Sequence, residues 1–380
     1  MAFSSITRRQ FARTLGSTLG AAWIADLPSG SRAAAKLPPG MPGGTIQLNS
    51  NENPHGPSLG ALEAMTRSQG GAARYPDADM DQVVEAIAEL HKVEPDQVAL
   101  GCGSGEILLA ADAAFLRPGK QVVVSEPTFE AVVVFAHSVQ SEAVKVPQTG
   151  DYRHDLTAMA AACNERTGLV YVCNPNNPTG TIVSSEELGR FLASVPPNVT
   201  ILVDEAYHHF VEDPRYASAF QWLDRTPNLI VVRTFSKIYG LAGMRLGYGV
   251  GSKEAIRAMR QHLCWSNANV AVLQAARASL GDAEHVTRHR QLNRDTRRWL
   301  CAELQIDGRS YIPSQTNFVM IDLGRDVEPV IQHFRDHHIM VGRKFPSMPN
   351  WLRVSMGTRE EMEAFLARLR DLVPVQARAA

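Results

Sequence analysis

Between about Gln82 and Val250, short runs of apolar, largely β-branched residues alternate with stretches in which apolar positions recur every three or four residues. The runs are "QVVVSEP" (121–127), "GLVYVCNP" (168–175), "TILVDEAY" (200–207) and "NLIVVRTF" (228–235). Continuous apolar runs of this length predict strands buried on both faces, as in a parallel sheet covered by helices. The intervening helical patterns, such as "SEELGRFLASV" (185–195), fit the crossovers that parallel strands require. Each run leads directly into polar residues: Ser125, Asn174, Asp204 and Thr234. Ligands of open α/β sheets bind beyond the carboxyl ends of the strands, so these four positions are candidates for one site.

A long amphipathic region from about Val270 to Leu304 leaves this pattern. After it, "TNFVMIDL" (316–323) and the helical "REEMEAFLARLRDLV" (359–373) read as a smaller α+β domain. The expected organisation is a leader over 1–35, an extended arm over 36–69, a large domain over 70–275 and a small domain over 276–380. No internal repeat interrupts it.

Composition changes this picture little. Of 380 residues, 44% are hydrophobic and 20% charged, as in ordinary globular proteins. A formal net charge of −1 gives no reason to expect nucleic acid or an anionic membrane as partner. The five cysteines, Cys102, Cys163, Cys173, Cys264 and Cys301, are scattered and never form a CxxC pair, which argues against a disulfide framework and a structural metal site. The N-terminus is less ordinary. Arg8 and Arg9 in "TRRQF" precede a weakly apolar stretch from Thr14 to Leu27, and Ala33, Ala34 and Ala35 follow as a cleavage-like site. This is the layout of an export signal of the twin-arginine type, predicting a periplasmic or secreted protein, with a basic N-terminal helix in a cytoplasmic protein as the alternative. The apolar stretch is shorter than the roughly 20 residues that span a bilayer.

The polar residues at the strand ends suit one chemistry, an anionic aromatic cofactor that forms an imine. Lys237, in "RTFSKIYGLAGMRLGYGVG", supplies an amine nucleophile. "GCGSGEILLAADAAF" (101–115) is a glycine-rich turn opening a helix, where backbone N–H groups and the helix dipole favour a phosphate. Arg245 adds a guanidinium fork, and Thr234 and Ser236 add hydroxyl donors. Asp204 is placed to keep a ring nitrogen protonated. Tyr207 and Asn177 can bond a ring hydroxyl, and Phe129 can stack on the ring. Singly, each has a plainer reading: a solvated lysine, a tight loop, a helix cap, a proline-rich turn, a core phenylalanine. Their order at successive strand ends favours the shared site.

The succession "GCGSGE", "EPTF", "NPNNPTG", "DEAY" and "TFSKIYGLAGMRLGY" resembles the class I/II pyridoxal-phosphate aminotransferases of fold type I, over nearly all of the chain after the leader. "LNSNENPHGPS" (48–58), "RYPDAD" (74–79) and "LRVSMGTREEME" (352–363) resemble their histidinol-phosphate aminotransferase branch more narrowly. The resemblance implies an α/β fold with a mostly parallel sheet, pyridoxal 5′-phosphate as cofactor, and Lys237 as Schiff-base lysine and proton shuttle. It implies Asp204 on the ring nitrogen, Tyr207 and Asn177 on the ring oxygen, and Phe129 on the ring face. Ser104, Gly105, Glu106, Thr234, Ser236 and Arg245 fall in the phosphate region, with Tyr75 reaching it from a neighbouring subunit of a homodimer. Arg353 falls on the substrate α-carboxylate, with Asn53 and Arg343 on the substrate side. The implied reaction is ping-pong transfer from an amino donor to an acceptor such as 2-oxoglutarate; a β-lyase, a racemase or a non-catalytic cofactor-binding protein are the alternatives. Where family members often carry a tyrosine before the "NENP" segment, this chain reads "KLPPGMPGG" (36–44), and His55 follows that segment. Aromatic or other neutral donors are therefore expected, with histidinol phosphate not uniquely preferred.

Overall fold

The computed structural model describes residues 44–372. The leader with Arg8 and Arg9 lies outside the described residues. In chain order the strands are β1 (Ile46–Leu48), β2 (Val98–Gly101), β3 (Gln121–Glu126), β4 (Glu142–Pro147), β5 (Thr167–Cys173), β6 (Thr200–Asp204), β7 (Leu229–Thr234), β8 (Gly247–Gly251), β9 (Tyr311–Ile312), β10 (Phe318–Asp322), β11 (Ile339–Val341) and β12 (Trp351–Ser355).

Seven strands form the central sheet in the order β2-β8-β7-β6-β5-β3-β4. The four apolar runs are β3, β5, β6 and β7, and neighbours among them pair in parallel. Every residue of β5, β6 and β7 is buried, as expected of strands covered on both faces. Their polar C-terminal residues consequently reach one edge of the sheet together. β8 departs from the parallel pattern and runs against both β7 and β2. Its link from β7 has no crossover α-helix, only the turns of residues 235–246, and a short link reverses the chain.

The glycines of β8, "GYGVG", let the helix Ser104–Phe115 close on the sheet. A Cβ on Gly247 would stand 2.2 Å from the Ser104 backbone nitrogen, and one on Gly249 would stand 2.9 Å from Ile107. The sequence thereby brings a helix N-terminus against the strand ends.

Two expectations change. The segment up to Gln69 is not extended throughout: Ser58 caps a helix over Leu59–Ser68 by accepting from the Ala61 N–H, and this helix packs on the helix Val270–Leu280. The long amphipathic region is two helices, Val270–Leu280 and Ala283–Ile306, divided at Gly281 and Asp282, where Asp282 caps the second through the His285 N–H. Beyond them, β12-β10-β9 form an antiparallel sheet, and β1 pairs in parallel with β11. The last helix, Arg359–Leu372, buries Met362, Phe365, Leu366 and Leu369, a stripe at helical spacing, into a core shared with Leu48 of β1 and Leu352 and Val354 of β12.

Candidate active site

A cavity of about 450 Å³ opens at the carboxyl ends of the parallel strands. It is within the range of small-molecule sites, about 300–1,000 Å³. Its lining gathers Ser104, Gly105, Phe129, Asn177, Asp204, Tyr207, Thr234, Ser236, Lys237, Arg245, Arg343 and Arg353. Most residues proposed from sequence thus meet in one place.

At one part of this lining lies an anion cradle. The helix Ser104–Phe115 begins after Gly103, which makes no side-chain cap; the Glu106 N–H bonds the Gly103 carbonyl, and the N–H groups of Ser104 and Gly105 are left for a ligand. Arg245 is held in the left-handed backbone region at φ 63°. Its guanidinium donates to the Ala242 carbonyl at 2.9 Å and has no ion-pair partner among the described residues. Gly103 has φ 79°, and a Cβ there would lie 2.2 Å from Arg245 Nη2, so glycine is required for the arginine to lie across the turn.

Asp204 ends β6 and is buried. Its Oδ2 accepts from the Tyr171 hydroxyl at 2.9 Å and its Oδ1 from the Ala206 N–H at 3.0 Å. Burial raises its carboxyl to about 6, and the Tyr171 bond opposes that rise. Lys237 follows β7; its Nζ donates to the Ser50 carbonyl at 3.1 Å and lies 5.7 Å from the centroid of the Tyr207 ring. Desolvation and then the Arg353 and Arg245 charges lower its amine to about 8, against the pull of Glu52 and Asp204. Such an amine is partly neutral at ordinary pH and able to act as nucleophile or base. The Tyr207 hydroxyl accepts from Asn51 Nδ2 at 3.0 Å, and burial holds its phenol well above the usual tyrosine range.

Arg353 lies in β12 and is buried. Its Nη1 donates to Asn177 Oδ1 at 2.7 Å, its Nη2 to the Asn49 carbonyl at 2.9 Å, and its Nε has no partner. No carboxylate pairs with it among the described residues. Burial and the neighbouring Arg343 lower its basicity while Tyr207 opposes this. A buried guanidinium without a counter-charge favours an incoming anion. Arg343 follows β11, donates from Nη2 to Glu130 Oε2 at 2.5 Å and lies 4.4 Å from the centroid of the Phe345 ring.

Three residues proposed from sequence do not line this cavity, one of them, Tyr75, being expected at the cavity of a second copy. The Glu106 carboxylate turns back to accept from the Cys102 N–H and from Asn267 Nδ2, fastening the glycine-rich turn from behind. Asn53 donates to the Ile238 carbonyl at 2.9 Å and meets His289 Nδ1 at 2.8 Å, tying the arm to the lysine-bearing segment and to the helix Ala283–Ile306. Tyr75 is 86% exposed. Conversely, Tyr171, Glu130, Ser50 and Asn51 were not proposed. Tyr171 was discoverable, because it precedes Cys173 by two positions and Cys173 is the register partner of Asp204, which puts both on one face of the sheet.

These residues fit pyridoxal 5′-phosphate. The uncapped helix turn with Arg245, Ser236 and Thr234 suits its phosphate, the buried Asp204 suits its ring nitrogen, and Lys237 presents the amine on the same cavity wall.

Comparison with known proteins agrees. Residues 44–369 match the family described as aminotransferase class I and II. The chain is 37% identical to a histidinol-phosphate aminotransferase of Moorella thermoacetica, over 92% of this chain and 94% of that protein. It is 40% identical to histidinol-phosphate aminotransferase 2 of Pseudomonas aeruginosa, over 86% of this chain and 89% of that protein. The crystal structure of a histidinol-phosphate aminotransferase from Sinorhizobium meliloti, in complex with pyridoxal-5′-phosphate, superposes with a TM-score of 0.82 at 26% identity, covering 87% of this chain and 90% of the other.

Proposed function

This chain belongs to the class I and II aminotransferases, pyridoxal-phosphate-dependent enzymes, and is similar to their histidinol-phosphate aminotransferases; from that premise we propose that it moves an amino group from an aromatic or histidinol-phosphate-like donor to 2-oxoglutarate by a ping-pong mechanism. The observation that carries this reading is Arg353, a buried guanidinium without an acidic partner, opening on the same cavity as a lysine whose amine is lowered to about 8. An anion held by Arg353, the carboxylate of an amino acid or the phosphate that histidinol phosphate carries in its place, brings the donor to the cavity that Lys237 lines.

The bound cofactor supplies an electron sink conjugated to the substrate nitrogen. The residues do the rest. Arg353 holds the carboxylate with a planar fork kept in register by Asn177 and the Asn49 carbonyl. The neutral amine of Lys237 removes the proton from the donor Cα and later returns one. Asp204, kept ionisable by Tyr171 despite burial, would retain the proton of the ring nitrogen. Phe129 would lie on the ring face, Tyr207 and Asn177 would bond its oxygen, and the helix turn at Ser104 with Arg245 would hold the phosphate.

The test is incubation of cofactor-loaded enzyme with ¹⁵N-labelled phenylalanine, glutamate or histidinol phosphate and with 2-oxo acids. Transfer of the label to 2-oxoglutarate from at least one of phenylalanine and histidinol phosphate is expected. Release of ammonia or racemised donor without label in a new amino acid would overturn the proposal.

A further inference from the structure

Arg343 and Glu130 come from segments 213 positions apart to the lining that also holds Arg353. Glu130 directly follows Phe129 and is the residue before the helix Ala131–Ser138; Arg343 directly follows the turn at Gly342, whose N–H bonds the Arg353 carbonyl. Their side chains meet at 2.5 Å, and Phe345 lies beneath both arginines, its ring centroid 4.4 Å from the Arg343 guanidinium and 5.3 Å from that of Arg353. The two arginines therefore present unequal charges. Arg353 has no carboxylate among the described residues, whereas the Arg343 fork already holds one.

We propose that Glu130 is a specificity-determining residue: as the resident counter-anion of Arg343, it weights the cavity against donors with a distal anionic group and toward donors with neutral, aromatic side chains. This rests on the transamination reading and names the substrate class that reading leaves open. A distal carboxylate or phosphate approaching Arg343 must displace Glu130 and meets its like charge, while a neutral ring meets a compensated ion pair and the aromatic lining of Phe129 and Phe345. The Arg353 guanidinium feels both members of the pair with opposite sign, so the α-carboxylate end is nearly indifferent to them while they remain together.

The side chains of Arg343 and Glu130 are 53% and 50% exposed, and pairs of that exposure are weak, so a modest effect follows. In Glu130→Gln, the kcat/KM ratio of glutamate to phenylalanine should rise about two- to fivefold, the range open to a partly solvated pair. The rise should reside in KM, because the pair acts on binding before and during reaction alike. Aspartate, tested beside glutamate, extends the comparison to a shorter distal carboxylate. Adding Arg343→Ala should remove the rise. Binding of two unreactive acids, succinate and 3-phenylpropionate, to the loaded enzyme gives a readout independent of turnover: Glu130→Gln should tighten succinate relative to 3-phenylpropionate. An unchanged ratio in both measurements, or a rise that persists with Arg343→Ala, overturns the proposal. Absence of amino transfer from every donor in the unaltered enzyme would instead overturn the functional reading, and the binding of the two acids would still judge Glu130.

Discussion

Arg353 shows how one residue acquires a role through its surroundings. Its guanidinium is buried at the price of desolvation, and the amide of Asn177 and the carbonyl of Asn49 satisfy only part of its donors. The missing carboxylate is what makes it a substrate site. Arg353→Ala should therefore lower kcat/KM for every carboxylate-bearing donor and for 2-oxoglutarate, by about ten- to a hundredfold, the equivalent of about 1.5–3 kcal/mol for a lost charge-assisted bond. Steady-state kinetics with two unrelated donors check this; a loss confined to one of them would place Arg353 on a side-chain subsite. Lys237 and Asp204 follow the same logic with opposite signs, since burial pushes the amine down and the carboxyl up until both titrate near neutrality.

At the scale of elements, the helix Ser104–Phe115 combines two requirements. Its N-terminus is pressed against β8, and the glycines there permit the approach. Gly247→Ala sets a methyl against the Ser104 backbone nitrogen and should move the helix start outward, weakening cofactor retention more than it weakens the fold. Dialysis followed by absorbance of the retained cofactor measures this, and retention equal to that of the unaltered protein would refute it. Further along, the same helix buries Asp112 with neither carboxylate oxygen bonded. Burial raises this carboxyl from 3.8 to about 8. The folded protein thus holds a proton that the unfolded chain releases, so the linked stability is complete below pH 3.8 and is lost as pH rises to about 8. Asp112→Asn cannot lose that proton and should gain thermal stability over the unaltered protein at pH 8 relative to pH 5. Equal differences in melting temperature at the two pH values would show that Asp112 is already ionised in the fold at both, with no raised carboxyl.

At the scale of the whole molecule, Tyr75 and Trp265 are large apolar side chains left 86% and 96% exposed. We propose that Tyr75 completes the phosphate site of a second copy. A dimer is expected in sedimentation, and Tyr75→Phe should weaken cofactor retention while leaving amino transfer in place; a fully active monomer would remove this proposal. We also propose that the leader exports the folded protein. Replacing Arg8 and Arg9 by lysine should leave active enzyme in the cytoplasm, as fractionation would reveal, and unchanged export would exclude the twin-arginine route.

The sequence by itself determined the strands that end at the cavity, because buried parallel strands are written as uninterrupted local runs, and it determined the residues that stand just beyond them. Lys237, Asp204, Asn177 and Phe129 were legible for that reason: a residue following a strand of a parallel sheet reaches a known edge. Which way a neighbouring side chain turns was not legible. Glu106 and Asn53 sit inside matching segments, yet their side chains find backbone groups and partners outside the cavity, at Cys102, Asn267, Ile238 and His289. The helix at Leu59–Ser68 was missed because its buried face is a row of small residues, Ala61, Ala64 and Ser68, whose stability comes from the helix Val270–Leu280 rather than from a strong apolar stripe. Only the tertiary structure decided the charge balance of the site. Arg353 and Asn177 are 176 positions apart, and Arg343 and Glu130 are 213 apart. Whether an arginine meets a carboxylate or an empty cavity depends on the packing of elements far apart in the chain, and local periodicity carries no record of that packing.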